Sequence, residues 1–349
     1  MGSFGAALGQ AEIGSPRDAL DELGRPVNFG WARRPLWNYD PLLLRSPARR
    51  VSASDRYLIQ MPGCIMTLQV SDSGITGYVG ITIISLKDKT RSSQTYTIPF
   101  PLGAMELPGS SETGRVRIQT KHYLLDFSAM EGGARIIRAD FPKFGRHRFL
   151  RGELVLNPPP EAESLVTHMP WRRGKNAFAL LRRSPCYAVE GIMQFGGQEL
   201  LFPQGKSWGL YEWRREVRPP SDLHFWAGAS GASGGVNMGF TVGYGNADAG
   251  AGTENAVFVE GKIHKLDQVT FHISTDGWAK PWRFTSNDGR LEMTFSPCQE
   301  RIERKTMFFH SIYRRQLFGS FAGRVILDDG KALEFSDLFG MTERSKSVN

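Results

Sequence analysis

Short runs of β-branched and aromatic residues recur along almost the whole chain, each cut off by Gly, Pro, Ser or Asp, and no strand-helix unit repeats between them. Such runs suit strands that bury one face, because a side chain points to the opposite face at every second residue. The segment from Arg115 alternates Val116, Ile118 and Thr120 against Arg117, Gln119 and Lys121, as a strand with one wet face should. Turn signals fall between the runs: Gly196-Gly197, Glu260-Gly261 and Asp328-Asp329-Gly330 each separate two strand-like segments. This pattern excludes a doubly wound α/β fold and predicts an all-β chain with little helix. A barrel gains weight over a sandwich because glycines recur where tightly curved strands crowd.

With 349 residues the chain exceeds what one core usually supports, so two domains are expected. The run Asn157–Ser164, with three consecutive prolines, favours extended polyproline geometry and is the natural connection. Residues 1–23 then read as a loose leader, 24–165 as the first β domain, 166–343 as the second and 344–349 as a frayed tail. Pro26, Pro35 and Pro41 prevent a regular helix after the leader, while Trp31, Trp37 and Tyr39 offer anchors; such a segment would lie across a sheet or plug an open barrel end.

Several function classes are excluded. The net charge of +8 is carried by scattered pairs such as Arg33-Arg34, Arg182-Arg183 and Arg314-Arg315, not by one face, which argues against a nucleic-acid partner. No apolar run approaches membrane-span length, and no basic start with an apolar stretch marks a signal peptide. Cys64, Cys186 and Cys298 are isolated, so reduced, buried thiols in a cytoplasmic protein are expected. The seven histidines form no HExxH, the Gly228–Gly235 run lacks the Lys-Ser/Thr of a phosphate loop, and no GxSxG elbow occurs. No metal and no cofactor are expected.

The window from Trp208 to Leu266 joins dense glycine to large aromatics and paired charges. Glycine removes Cβ atoms where backbone lies close to another surface, and aromatics supply rigid apolar walls. The combination suits the wall and mouth of a cavity. Embedded in it is a polar set, Glu212, Arg215, Asp222, His224, Glu254, Asn255, His264 and Lys265. A carboxylate or histidine desolvated there has its protonation shifted and can act as acid or base. The bland alternative is that the set pairs with itself, Glu212 with Arg215 and Glu254 with Lys265, as structural salt bridges.

The pieces GWARRPLWNYDPLL, HMPWRRGKNAFALL, WGLYEWRREVRPPSDLHFWAGASG, GTENAVFVEGKIHKL and LFGSFAGRVILDDGKALEFSDLFGMTE occur in an order that resembles the bacterial family called domain of unknown function 2804. The resemblance runs from about Gly24 to Glu343. That family is similar to two-domain lipocalin-like proteins, the calycin group with carotenoid hydratases and lipocalin-like pericyclases. What the resemblance implies is two tandem lipocalin-like antiparallel β-barrels, with a ligand in a cavity at or between them. Trp213, Arg215, Pro219, Trp226, Glu254, Asn255, His264 and Lys265 match the family pattern. Arg214, Glu216, Arg218 and Pro220 depart from it, placing charged groups where small or apolar ones are usual.

Two functions follow. The first is binding of a hydrophobic or amphipathic small molecule in an aromatic-lined cavity, with Trp213, Arg215, His224, Trp226, Asn255, His264 and Lys265 as ligand contacts. The second is a cofactor-free lyase or isomerase, of hydratase, cyclase or pericyclase type, on an isoprenoid, polyene or polyketide-like substrate. There Glu212, Asp222 or Glu254 would be the acid, and Trp213 and Trp226 would stabilise a developing cation. A scaffold whose arginine pairs hold an acidic partner ranks third.

Overall fold

Alternation becomes pairing in a computed structural model of the chain, which describes residues 10–146, 148–307 and 310–348. Two large sheets, each curled into an antiparallel half-barrel, account for nearly all of it, and the only helices among the described residues are three short 3-10 turns. His147 and the Phe308-Phe309 part of an expected strand lie outside the described residues.

The first sheet runs in the spatial order Thr90–Pro99, Thr76–Ser85, Cys64–Asp72, Val51–Met61, Trp208–Val217, Phe178–Phe195, Arg148–Asn157, Arg135–Phe144, Leu124–Ala129, Arg115–Gln119. Its neighbours are hairpin partners except at the centre. There Trp208–Val217 pairs with Val51–Met61, Tyr211 opposite Tyr57, closing a long excursion of the chain. The second sheet runs Lys262–Lys265, Ala256–Val259, Val236–Gly245, Ser221–Ser233, Ala332–Val348, His310–Ile326, Leu291–Met307, Trp282–Ser286, Val269–His272. The turns are where the sequence marks them. Gly196 and Gly197 (φ +56° and +86°) and Glu260 and Gly261 (φ +48° and +78°) take the left-handed conformation that a two-residue hairpin needs.

The division of the chain differs from expectation in three places. The strands Leu165–Pro170, Phe178–Phe195 and Trp208–Val217 complete the first sheet, so the change of sheet falls at residues 218–220, not at Asn157–Ser164. Pro219-Pro220 lies there, and consecutive prolines cannot continue a hydrogen-bonded ladder. The described part of the leader is tied down: Ile13 and Arg17 donate backbone hydrogen bonds to Trp31 and Leu36, and Ala19 and Leu20 are buried. The tail is a strand to Val348, paired with Ser221 on one side and Ser311 on the other. Its polarity reads as fraying, but both of its edges are covered.

Each half-barrel is filled by its own side chains. Tyr57, Phe127, Phe141, Phe178, Tyr211 and Trp213 belong to the first core, which the N-terminal segment closes with Leu36 and Trp37. Phe225, Phe240, Phe271, Phe284, Phe295 and Phe321 belong to the second. Burying a side chain of this size contributes about 1.5–3 kcal/mol, so these aromatic clusters are a large share of what holds each half-barrel together. A third cluster, Leu58, Leu210, Trp226, Phe318 and Met341, draws on both sheets and joins them. Cys64 and Cys186 are buried free thiols; Cys298 is free and exposed, against the expectation that it packs inside.

Candidate functional site

The strands that meet at the seam between the sheets each offer it one face. From Trp208–Val217, Tyr211, Trp213 and Val217 enter the first core, which leaves Leu210, Glu212, Arg214 and Glu216 for the seam. From Ser221–Ser233, Phe225, Ala227 and Ala229 enter the second core, which leaves His224 and Trp226. The consequence is a buried charge network in which sheet one supplies Arg56, Arg183 and Glu212 and sheet two supplies His224, Glu254 and Glu343.

Arg56 donates to Glu212 at 2.7 Å and to Glu343 at 2.8 Å. Arg183, almost fully buried, pairs with Glu212 and with Glu254, the latter at 2.6 Å. His224 Nε2 lies 2.8 Å from the other oxygen of Glu254. Gln316 donates to Glu343 at 2.6 Å. Trp226 sits against this network, with the guanidinium carbons of both Arg56 and Arg183 at 4.9 Å from its ring centroid and its indole N–H donating to Thr241 Oγ1 at 2.9 Å. Burying charges of this size is tolerated only because each is paired and hydrogen-bonded.

The electrostatics separate the three carboxylates expected to supply a proton. Burial opposes charge on Glu254, but His224 and Arg183 more than offset it and hold the carboxyl far below its usual range. Glu212 accepts from two arginines. Asp222 is the opposite case: burial pushes it up, against His224 and Arg214, and its Oδ1 has no hydrogen-bond partner. Of the three, Asp222 is the carboxyl whose burial favours the protonated form.

Two cavities open on the seam and share Arg214 and His224 in their walls. One, of about 130 Å³, is polar and holds Asp222, Glu216 and a set of serines. The other, of about 440 Å³, has Met169, Trp171 and Leu181 from the first sheet facing Tyr244, Val269 and Phe271 from the second, with Arg214, His224, Glu254 and Asn255 at its polar side. Trp171 is buried and its indole N–H has no partner. Arg214 lies 5.9 Å from the Trp171 ring and pairs with Glu216 at 2.8 Å.

The remaining expected contacts are dispersed. Trp213 and Arg215 point into the first half-barrel, where Arg215 donates to Asp55 at 2.9 Å and stacks 4.6 Å from the Trp213 ring. Asn255 lines the larger cavity, but its amide is spent on the backbone of Gly243 and Asp267, both at 2.7 Å. Lys265 is buried among Thr253 Oγ1 and Leu266 O, at 2.7 and 2.6 Å, 5.8 Å from the Trp31 ring. Burial pulls its ammonium down to about 7. His264 lies away from the seam, against Asp328. Neither expected salt bridge forms: Glu212 takes Arg56 and Arg183 instead of Arg215, and Glu254 takes Arg183 and His224 instead of Lys265.

Arg56, Arg183, Glu343 and Trp171 were not singled out from sequence. The signal for Arg183 was its position two residues after the apolar run Phe178–Leu181, which makes its strand buried and its charge costly unless paired. Among the described residues, no group of three or more His, Cys, Asp and Glu side chains is placed to hold a metal ion.

Residues 10–348 match the family described as "Domain of unknown function (DUF2804)". No curated protein matches the sequence. Among solved structures, the crystal structure of CghA with Sch210972 is 11% identical over 86% of this chain and 89% of that one, with a TM-score of 0.52. A second crystal structure of CghA covers 86% and 88% at 11% identity and a TM-score of 0.53. Kievitone hydratase from Nectria haematococca covers 85% and 88% at 11% identity, with a TM-score of 0.46. The likeness to CghA shows the fold, a two-domain lipocalin-like all-β architecture.

Proposed function

We propose, from the premise that the chain belongs to the DUF2804 family, that it binds an amphipathic small molecule at the seam between its two half-barrels. One observation carries this reading: a cavity of about 440 Å³, apolar on the walls given by Trp171, Leu181, Tyr244 and Phe271, ends on the polar groups Arg214, His224 and Glu254. Volumes of a few hundred Å³ with a small number of convergent polar groups are typical of ligand sites. The unpartnered Trp171 N–H would take an acceptor oxygen of the ligand, since a buried donor left unsatisfied costs about 1–3 kcal/mol. That a similarly folded protein was crystallised with Sch210972 is compatible with this use of the fold. The ligand partner is small and hydrophobic or amphipathic, not a nucleic acid and not an integral membrane. The free thiols favour the cytoplasm as the compartment, and no helix among the described residues is long and apolar enough to cross a membrane.

Native mass spectrometry of freshly purified protein, followed by solvent extraction, tests the reading. A retained apolar molecule that binds back with lower affinity to the Trp171→Phe variant supports it. Protein that retains nothing and binds no member of an apolar panel overturns it.

A second reading, a cofactor-free lyase or isomerase, rests on Asp222. Its carboxyl is pushed up by burial, carries an unpartnered oxygen and shares a cavity wall with the Arg214 and His224 that line the apolar chamber. Such a group can protonate one alkene carbon, and the cation so formed then returns a proton from a neighbouring carbon to the Asp222 carboxylate, which shifts the double bond and restores the acid. Incubation with polyene and isoprenoid substrates separates the two functions: turnover lost in Asp222→Asn and kept in Glu254→Gln supports proton transfer by Asp222, whereas full turnover in Asp222→Asn refutes it.

A further inference from the structure

A larger cavity, about 860 Å³, lies away from the seam at the open end of the first half-barrel. One wall is the N-terminal segment, held as the parallel pair of Arg17–Asp18 with Trp37–Asn38; the other is the barrel, through Val166, Leu180 and Trp213. Leu20, Val27 and Leu43 add apolar surface, and Tyr39 meets Trp213 edge to face at 6.5 Å.

Every charged side chain in this lining is acidic: Asp18, Asp21, Glu22, Asp40 and Glu112. Asp21 is taken up by Arg25 at 2.7 Å. Among the described residues the other four form no ion pair; Asp40 uses one oxygen to accept from Leu42 N at 2.9 Å and Asp18 one oxygen for Asn38 at 3.3 Å. In a chain of net charge +8 this is a local reversal of sign. Two guanidiniums reach the same wall from behind, Arg182 and Arg135, which both donate to Ser111 O, and Arg182 offsets part of the charge of Glu112; the carboxylates remain the only charges on the cleft's own lining, and more distant ones are screened beyond a Debye length of about 10 Å. Arg215, behind the Trp213 ring, is already matched by Asp55.

A second and independent feature is Trp213 itself. The residue is only 3% exposed, lines the cleft, and its indole N–H has no hydrogen-bond partner. Among the described residues nothing answers that donor.

We propose that this cleft is a second binding site and that its ligand is an amphipathic amine carrying a hydroxyl or carbonyl oxygen. The ammonium sits at the free carboxylates, the hydrocarbon part lies on Leu20, Leu43, Val166 and Leu180, and the oxygen accepts from Trp213.

Isothermal titration with 2-aminodecan-1-ol, decan-1-ol and decanoate, each at low and high salt, reads the proposal out. The amino alcohol is expected to bind about tenfold or more tightly than the other two, the scale of charge-assisted hydrogen bonds, and to weaken with salt. The Glu22→Gln/Glu112→Gln double variant should lose about tenfold for the amino alcohol alone, and Trp213→Phe about fivefold. Equal affinity for the amine and the neutral alcohol, or unchanged affinity in a folded double variant, overturns it. Should the double variant not fold, the charge and salt series on the unaltered protein decides between the same two outcomes. Neither outcome depends on whether the seam cavity holds a ligand.

Discussion

Arg183 and Glu254, 71 positions apart in sequence, meet at 2.6 Å with both side chains more than nine-tenths buried, and so tie the centre of the first sheet to the second. Arg183 also holds Glu212, so one guanidinium neutralises two carboxylates at the seam. Burial pulls this guanidinium down to about 10, with Glu254 opposing, and it stays charged at neutrality. Arg183→Met keeps the apolar volume but takes one partner from each carboxylate, leaving Glu212 to Arg56 and Glu254 to His224. Removing one partner of a buried pair typically costs about 3–5 kcal/mol, and urea unfolding at pH 7 should show a loss of that size. A loss below about 1 kcal/mol, the most that an exposed pair contributes, would mean that the network is solvated.

Acid should weaken the same seam. Burial opposes charge on Glu343, but Arg56 and Arg314 outweigh it and hold the carboxyl at about 2, against an ordinary value of 4.5. Between those values the unfolded chain binds more protons than the folded one, so stability rises with pH across the window and is lost as pH falls through it. Glu254, depressed further, adds to the loss at still lower pH. Thermal midpoints measured from pH 6 down to pH 2 should therefore fall steeply below about pH 4.5. Glu343→Gln should start lower at pH 6 and show a flatter acid limb.

How far the sequence reveals this arrangement depends on the range of the interaction. Strands and their turns are local: Arg115–Gln119 is a strand where the alternation places one, and Asp329-Gly330 turns the chain between its last two long strands. Even within one strand, the expected bridge of Glu212 to Arg215 neglects the two-residue period. Positions three apart point to opposite faces, and Glu212 goes to the seam while Arg215 goes into the barrel. Trp213 and Trp226 are parted because the chain changes sheet between their strands, which leaves one inside the first core and one between the sheets. What no local pattern carries is that Trp208–Val217 pairs with Val51–Met61, because that register is chosen by the whole sheet. The partners of Glu212 and Glu254 follow from that choice.

Alkaline pH should reveal Lys265. Its ammonium is pulled down to about 7 by burial, against an ordinary value of 10.5, with Asp267 and Asp288 opposing. From pH 7 upward the unfolded chain holds the proton that the folded chain has released, so this group makes stability rise with pH; the contribution is complete above 10.5 and is lost as pH falls through 7. The midpoint difference between the unaltered protein and Lys265→Met, followed from pH 6 to pH 9, isolates it. The difference should move in favour of the unaltered protein as pH rises. A pH-independent difference would show that the amine keeps its proton by finding an acceptor beyond Thr253 and Leu266.

The glycine run that marks the central window serves two separate needs, and substitution can tell them apart. Gly234 and Gly235 stand in a turn at φ +58° and +81° with open space around them, so alanine there meets only backbone strain, about 1–2 kcal/mol. Gly228 has ordinary φ, but a Cβ on it would overlap Cζ2 and lie 2.6 Å from Cη2 of Trp226, the side chain two residues earlier on the same face, and 3.1 Å from Leu210. Its missing side chain is the space in which the indole lies flat against Arg56 and Arg183. Gly228→Ala must therefore tilt that ring, breaking its hydrogen bond to Thr241 and its stacking with the two guanidiniums. Overpacking of this kind costs about 1–3 kcal/mol. Because the ring is the apolar neighbour of the buried ion pairs, Gly228→Ala should also change the near-ultraviolet circular dichroism, which Gly234→Ala should leave intact. A Gly228→Ala protein with unchanged stability and spectrum would show that Trp226 is free to move, and that the seam is held by its charges alone.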